Sequence, residues 1–175
     1  MYLETSPASN ATVRRAADGL RRIVQALHIS THVIERRHKV SGAQLFVLQQ
    51  LTGSKGLSLG DLAVRTRTDA SSVSVALKRL AARGIVRRTR AADDARRAVV
   101  RILPKGEGLL SSAPEPAQAR LLRALESLPR RDLAKLASTF EAICRAMHAP
   151  GGPAPMFFER ERNSRGKEQA VHGRP

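Results

Sequence analysis

The stretch that decides the fold runs from Ser58 to Leu103. It reads Ser58-Leu-Gly-Asp-Leu-Ala-Val-Arg65, Asp69-Ala-Ser-Ser-Val-Ser-Val-Ala-Leu-Lys-Arg-Leu80, Gly84-Ile-Val-Arg-Arg88, Asp93-Asp-Ala-Arg-Arg97 and Val99-Val-Arg-Ile-Leu103. Ser58 and Asp61 have the spacing of a capping box, which predicts a short helix that begins there. A second helix follows over about 70–82, with Thr68 or Asp69 as its N-cap. Two short segments rich in β-branched residues then flank a polar loop, which predicts a hairpin. Two helices followed by a hairpin are typical of a winged helix-turn-helix.

Charge indicates the kind of partner that this fold meets. The chain has a formal net charge of +16 and a sequence pI near 11.6. Between Lys55 and Arg101 there are twelve Lys or Arg residues against four Asp. Such a basic face attracts a polyanion. Aromatic residues, on which single-stranded nucleic acids stack, make up 3% of the chain, so the composition favours double-stranded DNA.

Other classes of protein lack support in the sequence. No nucleophile stands with a matched His and acid, and no Gly-rich phosphate loop is found, so we expect neither an enzyme nor a cofactor. A single cysteine, Cys144, excludes an internal disulfide framework, and we expect it to be a small buried apolar residue. No apolar run approaches the roughly 20 residues that span a bilayer, and no signal peptide is recognisable. We therefore expect a cytoplasmic protein with no membrane partner.

The rest of the chain predicts helices on both sides of this lobe. Apolar spacing indicates a long amphipathic helix over 13–37, after a flexible arm at 1–12. Ser41 is placed to cap the next helix. Gly106 and Gly108 predict a turn after the hairpin, and Pro114, Pro116 and Pro129 stand near the starts of two further helices.

These elements predict one mainly α domain, 13–148, with a small β-hairpin wing. Its DNA-binding lobe covers about 41–103, and its dimerisation helices cover about 13–37 and 114–148. Their apolar faces exceed what one winged helix can bury, so we expect a homodimer. Residues 149–175 are polar and rich in Pro and Gly at their start, which predicts a disordered basic tail.

Several motifs together resemble one known family. They are Val40-Ser-Gly-Ala-Gln-Leu-Phe-Val-Leu48, Leu59-Gly-Asp-Leu-Ala63, Ser71-Ser-Val-Ser74, Leu80-Ala-Ala-Arg-Gly-Ile-Val-Arg-Arg88, Asp94-Ala-Arg96 and Pro104-Lys-Gly106. Over about 13–148 the chain resembles the MarR family of bacterial transcriptional regulators. The resemblance implies a winged-helix homodimer on a pseudo-palindromic operator, usually a repressor released by a small-molecule effector or an oxidant. It also implies that Arg96 is the wing-tip arginine in a minor groove, held by Asp94. One departure is Ile102-Leu103, where the family often has Leu-Thr; a Thr cap is thereby lost.

The candidate DNA contacts are short hydroxyls and cations around the second helix of the motif. Hydroxyls at its N-terminal end can bond base edges or phosphates, although they can also simply cap the helix. Cations one turn further on, before the helix and in the wing can bind phosphates. The full set is Arg67, Ser71, Ser72, Ser74, Lys78, Arg79, Arg88, Asp94, Arg96 and Arg97.

The effector site is less defined by the sequence. His28 and His32 are spaced four residues apart, which can serve a transition metal, but no third ligand is apparent. We therefore interpret them as polar residues near a dimer seam or ligand crevice, without metal. The resemblance implies a ligand pocket between the lobe and the dimer helices, lined by His28, His32 and Phe46. A nonspecific architectural DNA-binding protein remains the alternative function, since charge alone binds any duplex.

Overall fold

A computed structural model describes residues 7–90, 97–151 and 156–157. Within these ranges the chain forms seven helices and one two-stranded antiparallel sheet. In chain order these are α1 (Pro7–His38), α2 (Gly42–Gln50), α3 (Leu59–Thr66), α4 (Ala70–Ala82), β1 (Val86–Arg90), β2 (Ala98–Ile102), α5 (Pro104–Ser112), α6 (Ala117–Glu126) and α7 (Arg130–Ala146). The prediction of a mainly α fold with a hairpin wing is confirmed.

Two capping boxes fix the entries into α2 and α3. The Gln44 amide donates to Ser41 Oγ at 3.1 Å, and the Ser41 amide donates to Gln44 Oε1 at 3.2 Å. At α3 the Asp61 amide donates to Ser58 Oγ at 3.1 Å, and the Ser58 amide donates to Asp61 Oδ2 at 3.0 Å. Each box satisfies backbone groups that a helix start leaves without partners. Both helices therefore begin where the sequence predicts.

The first helix is longer than expected. α1 begins at Pro7 and has 32 residues, so the expected flexible arm at 1–12 is wrong from Pro7 onward. Proline is favoured in the first turn of a helix because its missing N–H has no partner there in any case. At 1.5 Å per residue α1 is about 48 Å long.

The expected turn at Gly106 and Gly108 is also wrong, because both residues lie inside α5. Pro104 starts this helix, and its N-cap residue Leu103 makes no side-chain cap hydrogen bond. This agrees with the sequence, which has Leu103 where the family often has a threonine that could cap the helix. Gly106 is buried, and a Cβ on it would lie 2.6 Å from the carbonyl oxygen of Ile85. This glycine serves close packing of α5 against the hairpin.

The core lies in the winged-helix lobe and includes residues from α1, from α6 and from the segment after α7. Fully buried side chains join α2, α3, α4 and the hairpin; among them are Leu45, Leu48, Leu62, Val73, Leu80 and Ile85. Met156 is 3% exposed and belongs to the same cluster. The expected disorder from 149 onward is therefore wrong at Met156, whose apolar side chain gains by leaving water.

The last helix, α7, has no residue that is buried within the chain. Phe140, Ile143 and Met147 are exposed apolar residues on it. Cys144 is exposed as well, so the expectation of a buried cysteine is wrong for the single chain; α7 packs too little against the lobe to cover it. None of the helices in the described ranges has the length and hydropathy needed to cross a membrane.

Candidate nucleic-acid interface

The N-terminal end of α4 is organised by Asp69. Its carboxylate accepts a hydrogen bond from the Ser71 hydroxyl, from the Ser72 amide at 2.8 Å and from the Ser72 hydroxyl at 2.6 Å. These donors, the Ser71 hydroxyl first, hold the pKa of Asp69 well below its ordinary range. Asp69 is therefore the ionised N-cap of α4, and it fixes the direction of both hydroxyls.

The serines of α4 consequently differ in what they can reach. Ser72 is buried, so its hydroxyl serves the cap. Ser71 is exposed and donates to Asp69, which leaves its oxygen able to accept a hydrogen bond. Ser74 is half-buried, and Lys78 is exposed one turn further along the helix. Arg79 is half-buried.

The hairpin presents alternate side chains to opposite sides. Val86 pairs with Ile102, Arg87 with Arg101, and Arg88 with Val100. Because successive strand residues point to opposite faces, Val86 and Arg88 share one face while Arg87 lies on the other. The segment before α3 anchors the hairpin, since the amide of Val100 donates to the carbonyl of Leu57 at 2.8 Å.

A cavity of about 470 Å³ lies between the start of α3, α4 and the hairpin. Three cations, Lys78, Arg88 and Arg97, line it together with the hydroxyl residues Ser58 and Ser74. Its other lining residues are Leu59, Gly60, Leu77, Ala81, Val86, Ala98 and Val100. Cations and hydroxyls beside an apolar wall suit a phosphate, or a carboxylate that carries an apolar body.

Arg97 also acts on the first helix of the motif. The pKa of Asp61 is lowered, first by its hydrogen bonds from Ser58 and also by the positive charge of Arg97. Arg97 therefore lies close enough to the α3 capping box to favour its ionised form. The predicted residues Ser74, Lys78, Arg88 and Arg97 thus come together at one place, where α4 meets the wing.

Arg67 lies in the turn before α4, where the sequence predicts it, but its side chain has a partner that the sequence does not indicate. It is the C-cap of α3, in the left-handed conformation with φ 52°, and its guanidinium Nη2 lies 2.6 Å from the Glu126 carboxylate. Glu126 is the last residue of α6 and lies 59 positions away along the chain. No local pattern in the sequence could have indicated this partner. The predicted residues Asp94 and Arg96 lie outside the described residues.

The three predicted ligand residues differ in exposure. His28 and His32 are exposed on α1, with stacked rings whose centroids are 6.4 Å apart. Phe46 is 3% exposed and belongs to the core cluster. In the described ranges no group of three or more His, Cys, Asp or Glu residues is arranged to hold a metal ion.

A helix-turn-helix with a hairpin beside its second helix, and cations where the two meet, defines the winged-helix class of nucleic-acid-binding folds. Residues 38–97 match the sequence model of the MarR family. Over these residues the family model agrees with the resemblance seen in the motifs. A comparison with curated protein sequences found no match.

The chain is also similar to several solved structures. The chain is similar to the transcriptional regulator BldR from Sulfolobus solfataricus, with a TM-score of 0.51 and 20% identity, over 81% of this chain and 99% of that one. It is also similar to a MarR family protein from Bacillus stearothermophilus, with a TM-score of 0.49 and 23% identity, over 79% and 97% of the two chains. For wild-type MarR from E. coli the TM-score is 0.48 and the identity 17%, over 74% and 94%. The likeness to BldR shows a shared fold.

Proposed function

We propose that this protein is a sequence-specific regulator of transcription that binds double-stranded DNA as a homodimer. The observation that carries the proposal is the meeting of Ser74, Lys78, Arg88 and Arg97 where α4 lies against the hairpin. A helix whose N-terminal end carries short hydroxyls can enter a major groove, while flanking cations bind the phosphates on either side. The protein acts in the cytoplasm, where such a regulator meets its DNA.

Within α4 we assign different tasks to the predicted residues. Ser71 and Ser74 contact base edges; the Ser71 oxygen accepts from an exocyclic amine of cytosine or adenine, because its own proton is given to Asp69. Ser72 positions the helix through the cap. Lys78 and Arg79 bind phosphate, as do Arg88 and Arg97 from the wing.

The wing tip and the α3–α4 turn complete the proposed interface. Arg96, directed by Asp94, enters the minor groove beside the half-site, where a narrow groove concentrates negative potential. Arg67 adds a phosphate contact next to the start of α4.

Exposed apolar surface supports the dimer. Leu20, Ile23 and Val24 on α1 and Phe140 and Ile143 on α7 are each between 41% and 50% exposed in the single chain. A second copy that covers these faces removes them from water, and a two-fold axis then sets two α4 helices on half-sites about 10 base pairs apart.

A repressor released by a small molecule is the form of regulation that we propose. The cavity between α4 and the hairpin supports it, because an amphipathic carboxylate bound to Lys78, Arg88 or Arg97 would compete with DNA phosphate for the same cations. The crevice beside His28, His32 and Phe46 remains the other proposed place for an effector.

The test is selection from sheared genomic DNA at about physiological salt with excess competitor duplex. We compare the wild-type protein with Arg88→Ala and Arg87→Ala, which remove the same charge from opposite faces of β1. Capture of a few palindromic sites, weakened by Arg88→Ala and little changed by Arg87→Ala, supports the proposal. Arg96→Ala examines the wing tip in the same assay.

Uniform capture of all fragments, abolished by competitor and weakened equally by both variants, would support the architectural alternative. That function needs only the basic charge of the chain and no particular face of the hairpin.

A further inference from the structure

The ion pair between Arg67 and Glu126 joins the end of α3, in the winged-helix lobe, to the end of α6. We propose that Glu126 is a positioning residue that holds Arg67 in the free protein and passes it to a DNA phosphate when the duplex binds. The inference deepens the proposed function and rests on it. Glu126 lies in α6, outside the helix-turn-helix and the wing, and it is not among the residues predicted to bind DNA.

The backbone around Arg67 is fixed, so that the side chain alone is left to move. The Arg67 amide donates to the carbonyl of Val64 at 3.2 Å, and the Thr68 amide donates to that of Ala63 at 3.1 Å. Arg67 stands two residues before the N-cap Asp69. Its guanidinium therefore starts from a rigid turn next to the end of α4 that we place in the groove.

Glu126 is well suited to hold a cation at this place. As the last residue of α6, it adds a negative charge to a helix end that is already partially negative, and a cation there relieves both. The charge of Glu126 also contributes to the raised pKa of Arg123, for which the hydrogen bond from Arg123 to Glu115 is the main cause. Glu126 therefore acts on Arg67 and Arg123 together.

The pair is loose enough to exchange partners. The Arg67 and Glu126 side chains are 61% and 49% exposed, and pairs so exposed to water are weak. A DNA phosphate next to a groove-bound helix competes with the carboxylate, because binding it also releases condensed counterions. The ion pair must break before Arg67 can bind a phosphate. It therefore lowers the affinity for DNA by about twofold to fivefold per lobe, which corresponds to the free energy of such a pair.

The test measures binding of the full chain to a fluorescein-labelled mixed-sequence duplex of about 30 base pairs, roughly three helical turns, across a series of salt concentrations. Glu126→Gln is expected to tighten binding about twofold to fivefold per lobe. Arg67→Gln is expected to lower the salt slope by about 0.9 per lobe. In the double variant the gain from Glu126→Gln is expected to vanish, because no arginine is left to release.

Two controls separate the transfer from simple charge effects. Glu115→Gln changes the net charge by the same amount but frees Arg123, so we expect much less gain in affinity. Arg67→Lys keeps a cation and should restore the salt slope.

Three results would overturn the inference. Equal affinities for Glu126→Gln and Glu115→Gln, weaker binding by Glu126→Gln, or a gain that survives in the double variant would each exclude the transfer while DNA binding stands. If the wild-type protein does not bind the duplex at all, the proposed function fails and the transfer fails with it.

Discussion

Two glycines in one helix are expected to respond in opposite ways to the same substitution. Gly106 and Gly108 both lie in α5, and neither has a positive φ. A Cβ at Gly106 would lie 2.6 Å from the Ile85 carbonyl oxygen and 2.7 Å from Cγ2 of Ile102, whereas a Cβ at Gly108 would meet nothing within 4 Å. We therefore expect Gly106→Ala to destabilise the protein and Gly108→Ala to stabilise it.

The magnitudes follow from packing and helix propensity. The Ile85 carbonyl cannot easily move, because it already accepts a hydrogen bond from the Leu103 amide at 3.0 Å. Forcing an extra methyl group into such a site costs about 2–3 kcal/mol, and the better helix propensity of alanine returns about 1 kcal/mol. The net loss for Gly106→Ala is about 1–2 kcal/mol. Gly108→Ala receives the propensity term alone, a gain of about 0.5–1 kcal/mol.

Urea unfolding followed by far-UV circular dichroism measures both variants against the wild-type protein. The free energies of unfolding of the two variants should differ by about 1.5–3 kcal/mol, which corresponds to roughly 3–12 °C in Tm for a chain of this size. If Gly106→Ala were as stable as Gly108→Ala, the close contact between α5 and the hairpin would be refuted.

Three further changes probe other parts of the molecule. Asp69→Ala should lower the free energy of unfolding by about 1 kcal/mol at neutral pH. Because the folded-state pKa of Asp69 is depressed, its stabilising effect is complete above its unfolded pKa of about 3.9 and declines as the pH falls towards the folded value. Urea titrations should therefore show the difference from wild type shrinking in acid. In the proposed dimer, Ile143→Glu should give a monomer in sedimentation velocity, while Val64→Glu, also at an exposed apolar residue, should leave the dimer intact; equal behaviour would argue against α7 as the interface. Met156→Ala should cost about 2–4 kcal/mol in thermal or urea unfolding and Met156→Leu under about 1.5 kcal/mol; no difference from wild type would mean that Met156 contributes little to the core.

The parts of the fold that the sequence predicts well are those set by local chemistry. Ser41 with Gln44, and Ser58 with Asp61, form their capping boxes within four residues, so their helix starts can be read directly. The sequence does not predict α5, because its two glycines have poor helix propensity. Residue 106 has to be a glycine because the carbonyl of Ile85, which is distant in the sequence, lies too close to leave room for a Cβ.

The candidate site also has one part that local sequence patterns predict and one part that they do not. Helical and strand periodicity bring Ser74, Lys78 and Arg88 to one place, and both periods are visible in the sequence. The pairing of Arg67 with Glu126 depends on how α6 returns to the lobe, so no spacing in the sequence predicts it. The sequence leaves two candidates for the N-cap of α4, Thr68 and Asp69, and the structure has Asp69 there.

The burial of Met156 in the lobe has a consequence for the synthesis of the protein. A nascent chain emerges from the ribosome N-terminal end first, and α2, α3, α4 and the hairpin are complete long before Met156 appears. Until then the core that Met156 shares with these elements lacks one of its side chains. We expect the winged-helix lobe to reach its full stability only after the chain is translated past α7. A ribosome stalled at that helix would therefore carry a lobe whose core is incompletely packed.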